Sequence, residues 1–394
     1  MAVIGVVGEF NPFHLGHFRH LSASRALVGD GDAPIVCVMS GDFVQRGAPA
    51  VFDKHVRART AAMCGADLVF ELPLPWCVAS AERFAMGAVG LLNSLGVVTH
   101  LAFGSEVGNL TPLTALALGA AERSNIEKIK ARMESGMSFA AAREMVLHET
   151  LGDQARLLQT PNNILAVEYL KALFAMQSDM LPVTTHRTDA QHDRFSDGPV
   201  RSASQLRSML EAGEDIATYI PAAACEAVKG RSPMTMEKLE TAIMARLRML
   251  SRDDFDALPD ATEGLGNRLY KAVRGEGSVE AVLSAVKTKR YPLSRLRRLV
   301  ICGALGVKAG MTDGCPPYAR LLASTERGRA LLRQITEKAT VPIINKPAGA
   351  KDLPGEARDV FTLTAAARDF YVLGYEGVYE RKGGSDWRAS PATL

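Results

Sequence analysis

The sequence predicts an α/β protein in which a parallel β-sheet is covered by helices on both faces and is followed by a mainly helical C-terminal region. Over the first 110 residues, short and continuously apolar runs alternate with longer stretches of helical pattern. This alternation is typical of parallel strands that are buried on both faces and joined by crossover helices. After about residue 216 the strand pattern stops, and helical stretches dominate to about residue 338.

The individual elements follow from these patterns in chain order. Strands are predicted over residues 2–10, 33–41, 66–73, 97–106 and 181–189. Helices are predicted over residues 14–28, 52–65, 81–96 and 161–176, the last with Pro161 in its first turn. Polar residues gather where these strands end. Because open α/β sheets bind ligands at the carboxyl ends of their strands, that edge is the candidate site.

Length and composition indicate a globular protein of more than one structural unit. The chain has 394 residues, and we expect units at residues 1–215, 216–340 and 341–394. Six cysteines without a CxxC pair favour reduced thiols over a disulfide framework or a zinc site. The sequence shows neither a signal peptide nor a membrane-length apolar run, so a soluble cytoplasmic protein is expected. The net charge of +3 is small, so an anionic partner requires a local basic patch.

The first candidate motif lies where the first strand turns into a helix. His14, Gly16 and His17 form the pattern H-x-G-H. Backbone N–H groups at a helix start favour anions, and Gly16 would let the chain lie close to a phosphate. Two imidazoles aimed at one point can donate hydrogen bonds to phosphate oxygens. Positioning and electrostatic stabilisation would then accelerate the reaction at phosphorus without a protein nucleophile. A helix-surface pair or a metal fragment is the competing interpretation. No third ligand follows at zinc spacing, so no metal site is predicted.

A second candidate motif, "RSASQLR", covers residues 201–207. Ser202 and Ser204 can cap a helix start, and Arg207 lies one turn further on, where it could reach a phosphate. Taken alone, the segment could be nothing more than a capped helix.

The third candidate is a basic segment, "KTKRYPLSRLRR", at residues 287–298. It contains six cations and no acid, and is interrupted by Tyr291: Lys287, Lys289, Arg290, Arg295, Arg297 and Arg298. This composition is typical of a footprint for an RNA backbone. A solvated charged face is the alternative.

Three further polar residues lie near the predicted strand ends. Lys54 and Arg57 share one helix face, and water is their expected surrounding. Glu71 ends a buried strand, where a carboxylate commonly caps a neighbouring loop, so no base role is predicted for it.

Seven segments in order make the chain resemble the bacterial tRNA(Met) cytidine acetate ligase family of the HxGH nucleotidyltransferase superfamily. They are "GEFNPFHLGH", "SGDFVQRGAPA", "GADLVFELP", "FAMGAVGLLNSLGV", "FGSE", "PNNILAVEYLKAL" and "KRYPLSRLRR". The resemblance implies a Rossmann-like parallel sheet of the HxGH nucleotidyltransferase type. It also implies a catalytic ATP-binding unit at 1–215, a helical tRNA-binding region at 216–340 and a small appended unit at 341–394.

The implied reaction has two steps. Acetate and ATP give acetyl-adenylate and pyrophosphate, and the acetyl group then passes to the wobble cytidine of elongator tRNA(Met), giving N4-acetylcytidine and AMP. The implied partners are therefore ATP, acetate and this tRNA, with Mg²⁺ expected alongside ATP. Neither a membrane nor an obligatory protein partner is expected.

The resemblance also implies which residues bind ATP, with His14 and His17 on the phosphates. The first group is a continuous loop: Val7, Gly8, Glu9, Phe10, Asn11, Pro12, Phe13, His14, Leu15, Gly16, His17, Phe18, Arg19 and His20. The second group follows later strands and a helix start: Gly104, Asn162, Arg187 and Thr188. Among these, Arg187 is the natural phosphate clamp. Asn162 could instead cap its own helix, and Arg187 could be a surface residue.

Two other classes of function remain open at this point. The first is a small-molecule nucleotidyltransferase or adenylate-forming ligase in cofactor synthesis, which shares the H-x-G-H chemistry but has little use for a basic helical region. The second is a non-catalytic module that senses a nucleotide or binds RNA.

Overall fold

The computed structural model describes residues 1–187, 201–262 and 264–394. The strands are β1 (Ile4–Gly8), β2 (Ile35–Ser40), β3 (Phe43–Val44), β4 (Ala48–Pro49), β5 (Leu68–Leu72), β6 (His100–Ser105), β7 (Leu181–His186), β8 (Ala319–Ser324), β9 (Ile343–Ile344) and β10 (Ala392–Thr393). The helices in the first half are α1 (Leu15–Val28), α2 (Lys54–Met63), α3 (Ala81–Ser94), α4 (Leu110–Ala121), α5 (Arg123–Glu134), α6 (Phe139–Leu151) and α7 (Pro161–Ala175). Those in the second half are α8 (Ala203–Glu211), α9 (Ala222–Val228), α10 (Glu240–Met249), α11 (Arg252–Asp256), α12 (Leu265–Gly275), α13 (Val279–Val286), α14 (Leu293–Leu305), α15 (Glu326–Lys338) and α16 (Gly355–Tyr371).

The main sheet has the strand order β10-β8-β5-β2-β1-β6-β7, with β9 paired to β8. The five strands from β5 to β7 run parallel, with Ile4 of β1 opposite both Ile35 and His100. Every residue of β2 and β5 is buried, because helices cover both faces of the sheet. The predicted α/β class, its first strands and the helices between them are confirmed.

The expectation that strands stop after residue 216 is wrong. Strand β8 lies within the predicted helical region and pairs antiparallel with β5, and β10 at the C-terminus pairs parallel with β8. All six positions of β8 are buried, including Arg320. A six-residue segment that contains an arginine is not recognised as a buried strand from sequence alone. The neighbouring strand and the carboxylates that compensate the charge of the arginine lie elsewhere in the chain.

The core extends across the predicted unit boundaries. One continuous cluster of buried apolar side chains includes Phe70 of β5, Leu299 of α14 and Phe361 of α16. The three-part division of the chain stays a prediction. In the residues that the structure describes, no helix is both long and apolar enough to cross a membrane.

The fold brings several connections to one edge of the sheet. Strands β1, β2, β5, β6 and β7 are parallel and in register, so their carboxyl ends lie side by side. The chain leaves this edge after Gly8, Ser40, Leu72, Ser105 and His186. The candidate residues of the first and second motifs are found here.

Candidate active site

The connection between β1 and α1 is held by two buried side chains, its own Asn11 and Arg57 of α2. The Oδ1 atom of Asn11 accepts a hydrogen bond from the backbone N–H of Val51, at 2.7 Å. The Arg57 guanidinium donates to the carbonyl of Glu9 at 2.5 Å, and also to the carbonyls of Phe52, Ser40 and Gly41. One arginine therefore ties together the loops that follow β1 and β2.

The two imidazoles of H-x-G-H cap the start of α1 reciprocally. His14 is the N-cap residue, and its Nδ1 accepts from the N–H of Gly16 at 3.0 Å. Nδ1 of His17 accepts from the N–H of His14 at 3.2 Å, and the two rings stack with centroids 3.8 Å apart. A neutral imidazole that accepts at Nδ1 carries its proton on Nε2. Both rings can therefore donate from Nε2.

Charge and burial keep these rings neutral. Burial, with Arg187 and Arg207 adding to it, lowers the pKa of His14 to about 3. Burial and the neighbouring His14 hold the pKa of His17 well below its usual value. Burial and then Arg187 lower the pKa of His20 to about 4, and its Nδ1 lies 2.7 Å from the Thr185 hydroxyl. The three rings are polar donors in a positive field rather than cations.

The second motif meets the first at this edge. Ser202 caps α8 together with Gln205 in a capping box. Arg207, one turn further on, donates to the backbone carbonyl of Asn11 at 2.8 Å and to the Ser204 hydroxyl at 3.0 Å. Residues 196 positions apart in sequence are thereby joined. The structure thus brings the two motifs into contact, and their action at one place stays a prediction.

Gly104, Asn162 and Arg187 also lie together. A Cβ atom on Gly104 would come within 2.7 Å of Cδ of Arg187, so the arginine stem passes directly over this glycine. Nη1 of Arg187 donates to Oδ1 of Asn162 at 3.1 Å. Thr188, the last predicted member, lies outside the described residues.

Glu106, the last residue of the segment "FGSE", organises this second group, although no role was predicted for it. Its Oε1 accepts from the N–H and the Nδ2 of Asn162, at 3.1 and 2.8 Å. Its Oε2 accepts from the N–H of Asn163 at 2.6 Å and from the Thr160 hydroxyl at 3.1 Å. Glu106 therefore caps α7, and the alternative in which Asn162 caps its own helix is not what the structure shows.

The expectation that Lys54 and Arg57 face water is wrong. Lys54 is completely buried and pairs with Glu71 at 2.7 Å and with Asp386. Burial alone would lower the pKa of Lys54, but Asp386 and Glu71 hold it above its usual value. Arg320 of β8 completes the cluster, 2.8 Å from Asp386 and 3.3 Å from Glu71. Glu71 thus acts as a buried counter-ion beneath the sheet edge.

The structure separates the six cations of the basic segment into two sets. Lys287, Lys289 and Arg297 are exposed. Arg295 is bound to the carbonyl of Asp260 at 2.6 Å and to the Thr262 hydroxyl at 3.0 Å, and Arg290 donates to the carbonyl of Met133 at 3.4 Å. Arg298 lies 3.9 Å from the carboxylate of Asp260. The segment, which leads into α14, is therefore not a uniform charged face. Some of its cations face solvent, and the others contact backbone carbonyls or lie near a carboxylate.

This segment adjoins the H-x-G-H edge. A Cβ on Gly47, which has a φ of +72°, would come within 2.3 Å of the backbone N of Arg298, so the loop after β2 packs directly on α14. Burial lowers the pKa of Arg207, and the charges of Arg46 and Arg297 lower it further. No cluster of three or more metal-ligating side chains occurs in the described ranges.

Comparison with known proteins decides between the functional classes. The model of the HIGH Nucleotidyl Transferase family matches residues 1–386. A tRNA(Met) cytidine acetate ligase from Thermoanaerobacter sp. (strain X514) is 37% identical over 391 residues, covering 95% of this chain and 96% of that protein. The chain belongs to the tRNA(Met) cytidine acetate ligase family.

Further relatives agree with this membership of the acetate ligase family. The protein of that name from Syntrophomonas wolfei is 36% identical and covers 99% of both chains. The crystal structure of Thermotoga maritima TmcAL bound with alpha-thio ATP superposes with a TM-score of 0.92 at 31% identity, over 100% of both chains. The apo form of the same protein superposes with a TM-score of 0.93. The resemblance predicted from the seven segments is confirmed.

Proposed function

We propose that this tRNA(Met) cytidine acetate ligase forms acetyl-adenylate at the H-x-G-H edge and passes the acetyl group to the wobble cytidine of elongator tRNA(Met). The observation that carries the site assignment is the pair of neutral imidazoles at the start of α1. Each ring has its Nδ1 occupied by a backbone N–H and its Nε2 proton left to donate. Such donors suit phosphate oxygens on which charge develops.

In the first step a carboxylate oxygen of acetate attacks the α-phosphorus of ATP. The new phosphorus–oxygen bond gives acetyl-adenylate, and the bond to the β-phosphate breaks and releases pyrophosphate. His14 and His17 would donate from Nε2 to the phosphate oxygens, while Arg187 and Arg207 supply positive charge. The loop from Val7 to His20, together with Gly104, Asn162, Arg187 and Thr188, would hold the nucleotide.

In the second step the exocyclic N4 amine of the cytidine attacks the acetyl carbonyl carbon. The carbon–oxygen bond to the phosphate breaks, AMP leaves, and N4 loses one proton. The exposed cations of the basic segment would bind the RNA backbone, since phosphates attract them without reading sequence. Such an enzyme would work in the cytoplasm, where its tRNA is found.

Mg²⁺ fits this site as a companion of ATP. The described residues hold no carboxylate cage of their own. Mg²⁺ usually keeps several waters and is bound through substrate phosphates, so it would arrive on the triphosphate. There it would neutralise charge on the leaving pyrophosphate.

The test is acetate-dependent AMP formation with and without tRNA(Met). The acetate ligase requires acetate and makes AMP in stoichiometric amounts only when the tRNA is present. A cofactor-building ligase would ignore the tRNA, and a binding module would make no AMP. Either of these results would refute the proposed reaction.

A further inference from the structure

A cavity of about 150 Å³ lies between the β5–α3 connection and the helical region. Val78, Ala79 and Arg83 line one side, and Asp260, Arg298 and Val307 line the other. A cavity of roughly this volume accepts a single six-membered ring, and it is smaller than the roughly 300–1,000 Å³ of pockets for larger ligands. Its size therefore suits one pyrimidine base.

The lining combines apolar surface with charges of both signs. Pro75, Val78 and Val307 offer apolar surface to a flat ring, while Asp260 and Asp313 line the cavity together with Arg83, Arg295 and Arg298. A neutral base with donors and acceptors on one edge suits such a lining. Bases that are taken out of a stack are read by hydrogen bonds to their Watson–Crick edge and by contacts with their faces. The cavity offers both kinds of contact.

Arg298 is one charged group of the lining without a hydrogen-bond partner among the described residues. Its side chain is only 14% exposed, and its closest carboxylate, that of Asp260, is 3.9 Å away, too far for a hydrogen bond. Within the described part of the chain its guanidinium makes no other polar contact. The unpartnered nitrogens of Arg298 are not sealed from solvent, so they can donate to a ligand that enters the cavity.

The cavity is directly connected to the H-x-G-H edge. Gln45 donates from its backbone N–H to Glu9 at 2.7 Å, and from its side-chain Nε2 to the carbonyl of Ala79 at 3.2 Å. Ala79 lines the cavity. A single residue therefore spans the distance between the proposed nucleotide loop and the cavity.

We propose that this cavity receives the acceptor cytosine of the tRNA, with Arg298 and Asp260 on its polar edge; the proposal rests on the proposed acetyl transfer. Cytosine carries an amine donor at N4 beside the acceptors N3 and O2. Asp260 accepts from the amine, and the planar guanidinium of Arg298 donates to the two acceptors. Uracil has an oxygen in place of the amine and would face the carboxylate with an acceptor.

The experiment measures binding of two tRNA(Met) transcripts, one with cytidine and one with uridine at the acceptor position, over a range of salt concentrations. Wild-type protein is compared with Arg298→Met and with Arg297→Met. Arg297 is the matched control because it is the adjacent residue but is exposed. Wild-type protein is expected to prefer cytidine by about 5- to 100-fold, the usual range for a paired base contact.

The two variants are expected to behave differently. Arg298→Met should bring the preference to within about 2-fold, whereas Arg297→Met should weaken both transcripts equally and reduce the salt slope by about one. If Arg298→Met does not fold, Arg298→Lys serves instead, because it keeps the charge and loses the planar fork. An unchanged preference in the Arg298 variant, or no preference in wild-type protein that acetylates tRNA, overturns the cavity assignment alone. Failure of wild-type protein to acetylate tRNA(Met) instead overturns the proposed function on which it rests.

Discussion

Replacing Glu106 with glutamine should weaken ATP binding without any change in a residue that is proposed to touch ATP. The carboxylate accepts four hydrogen bonds, two from Asn162 and one each from Asn163 and Thr160. A glutamine keeps one acceptor oxygen, so its NH₂ group faces either the two donors of Asn162 or those of Asn163 and Thr160. In the first orientation Asn162 loses the partner that aims its Oδ1 at Arg187. In the second the start of α7, which carries Asn162, loses its cap.

The expected size of the effect follows from the bond that is lost. A hydrogen bond to a charged group contributes about 1.5–3 kcal/mol, which corresponds to about 10- to 150-fold in an equilibrium constant. Arg187 is exposed, so solvent screening places the expectation at the lower end. The KM for ATP should therefore rise about 10-fold, with a smaller change in kcat.

The assay is acetate-dependent exchange of labelled pyrophosphate into ATP over a range of ATP concentrations. Thr160→Val is the matched control, because it removes one bond of 3.1 Å to the same carboxylate and leaves Asn162 and Arg187 in place. It should leave the KM near the wild-type value. In an Arg187→Met background, Glu106→Gln should add little, since both changes act on one interaction.

Two results would contradict this reasoning. A folded Glu106→Gln protein with a KM within about 2-fold of wild type would show that the carboxylate only caps α7. A full and additive effect of Glu106→Gln in the Arg187→Met background would show that Glu106 does not act through the clamp.

Three further predictions concern the histidines and the C-terminal segment. His14→Ala and His17→Ala should each lower the rate of pyrophosphate exchange at least about 100-fold, as loss of an oxyanion donor does; near-normal rates in both would remove their assigned role. The pKa of His14 is about 3 when folded and 6.5 when unfolded, so the unfolded chain binds more protons below pH 6.5. The melting temperature should therefore fall as the pH is lowered from about 6.5 towards 4, and His14→Gln should make that decline shallower. Asp386→Ala should cost about 3–5 kcal/mol in urea unfolding, because the buried cations Lys54 and Arg320 would then share the single charge of Glu71. Asp313→Ala, at an exposed pair, should cost less than about 1 kcal/mol, and equal losses would contradict the buried network.

Local patterns sufficed to predict the framework of the site. The strands β1, β2, β5 and β6 are short and predominantly apolar segments, and the H-x-G-H residues are close together in sequence. Parallel strands placed in a sheet have only one edge for their carboxyl ends. The position of the first motif at that edge was therefore predictable before any contact was known.

The supporting residues were not predictable in the same way. Arg57 and Glu106 act on backbone groups of other loops, and nothing in their neighbouring sequence marks those acceptors and donors. Lys54 would be expected at the surface, where lysine side chains are usually found. It is buried because Asp386, 332 positions away, is brought beside it by β8 and the C-terminal residues.

The sequence by itself determined the α/β framework, the position of the H-x-G-H motif at its edge and the family, because these depend on short-range periodicity and on ordered segments. Only the tertiary structure decided that β8 joins the sheet antiparallel, that Lys54 and Arg57 are buried, and that Arg298 lies in a cavity while Arg297 faces solvent. These outcomes depend on which distant groups compensate the loss of hydration of a charge. Sequence separation carries no information about that compensation, since it is set by the folded packing.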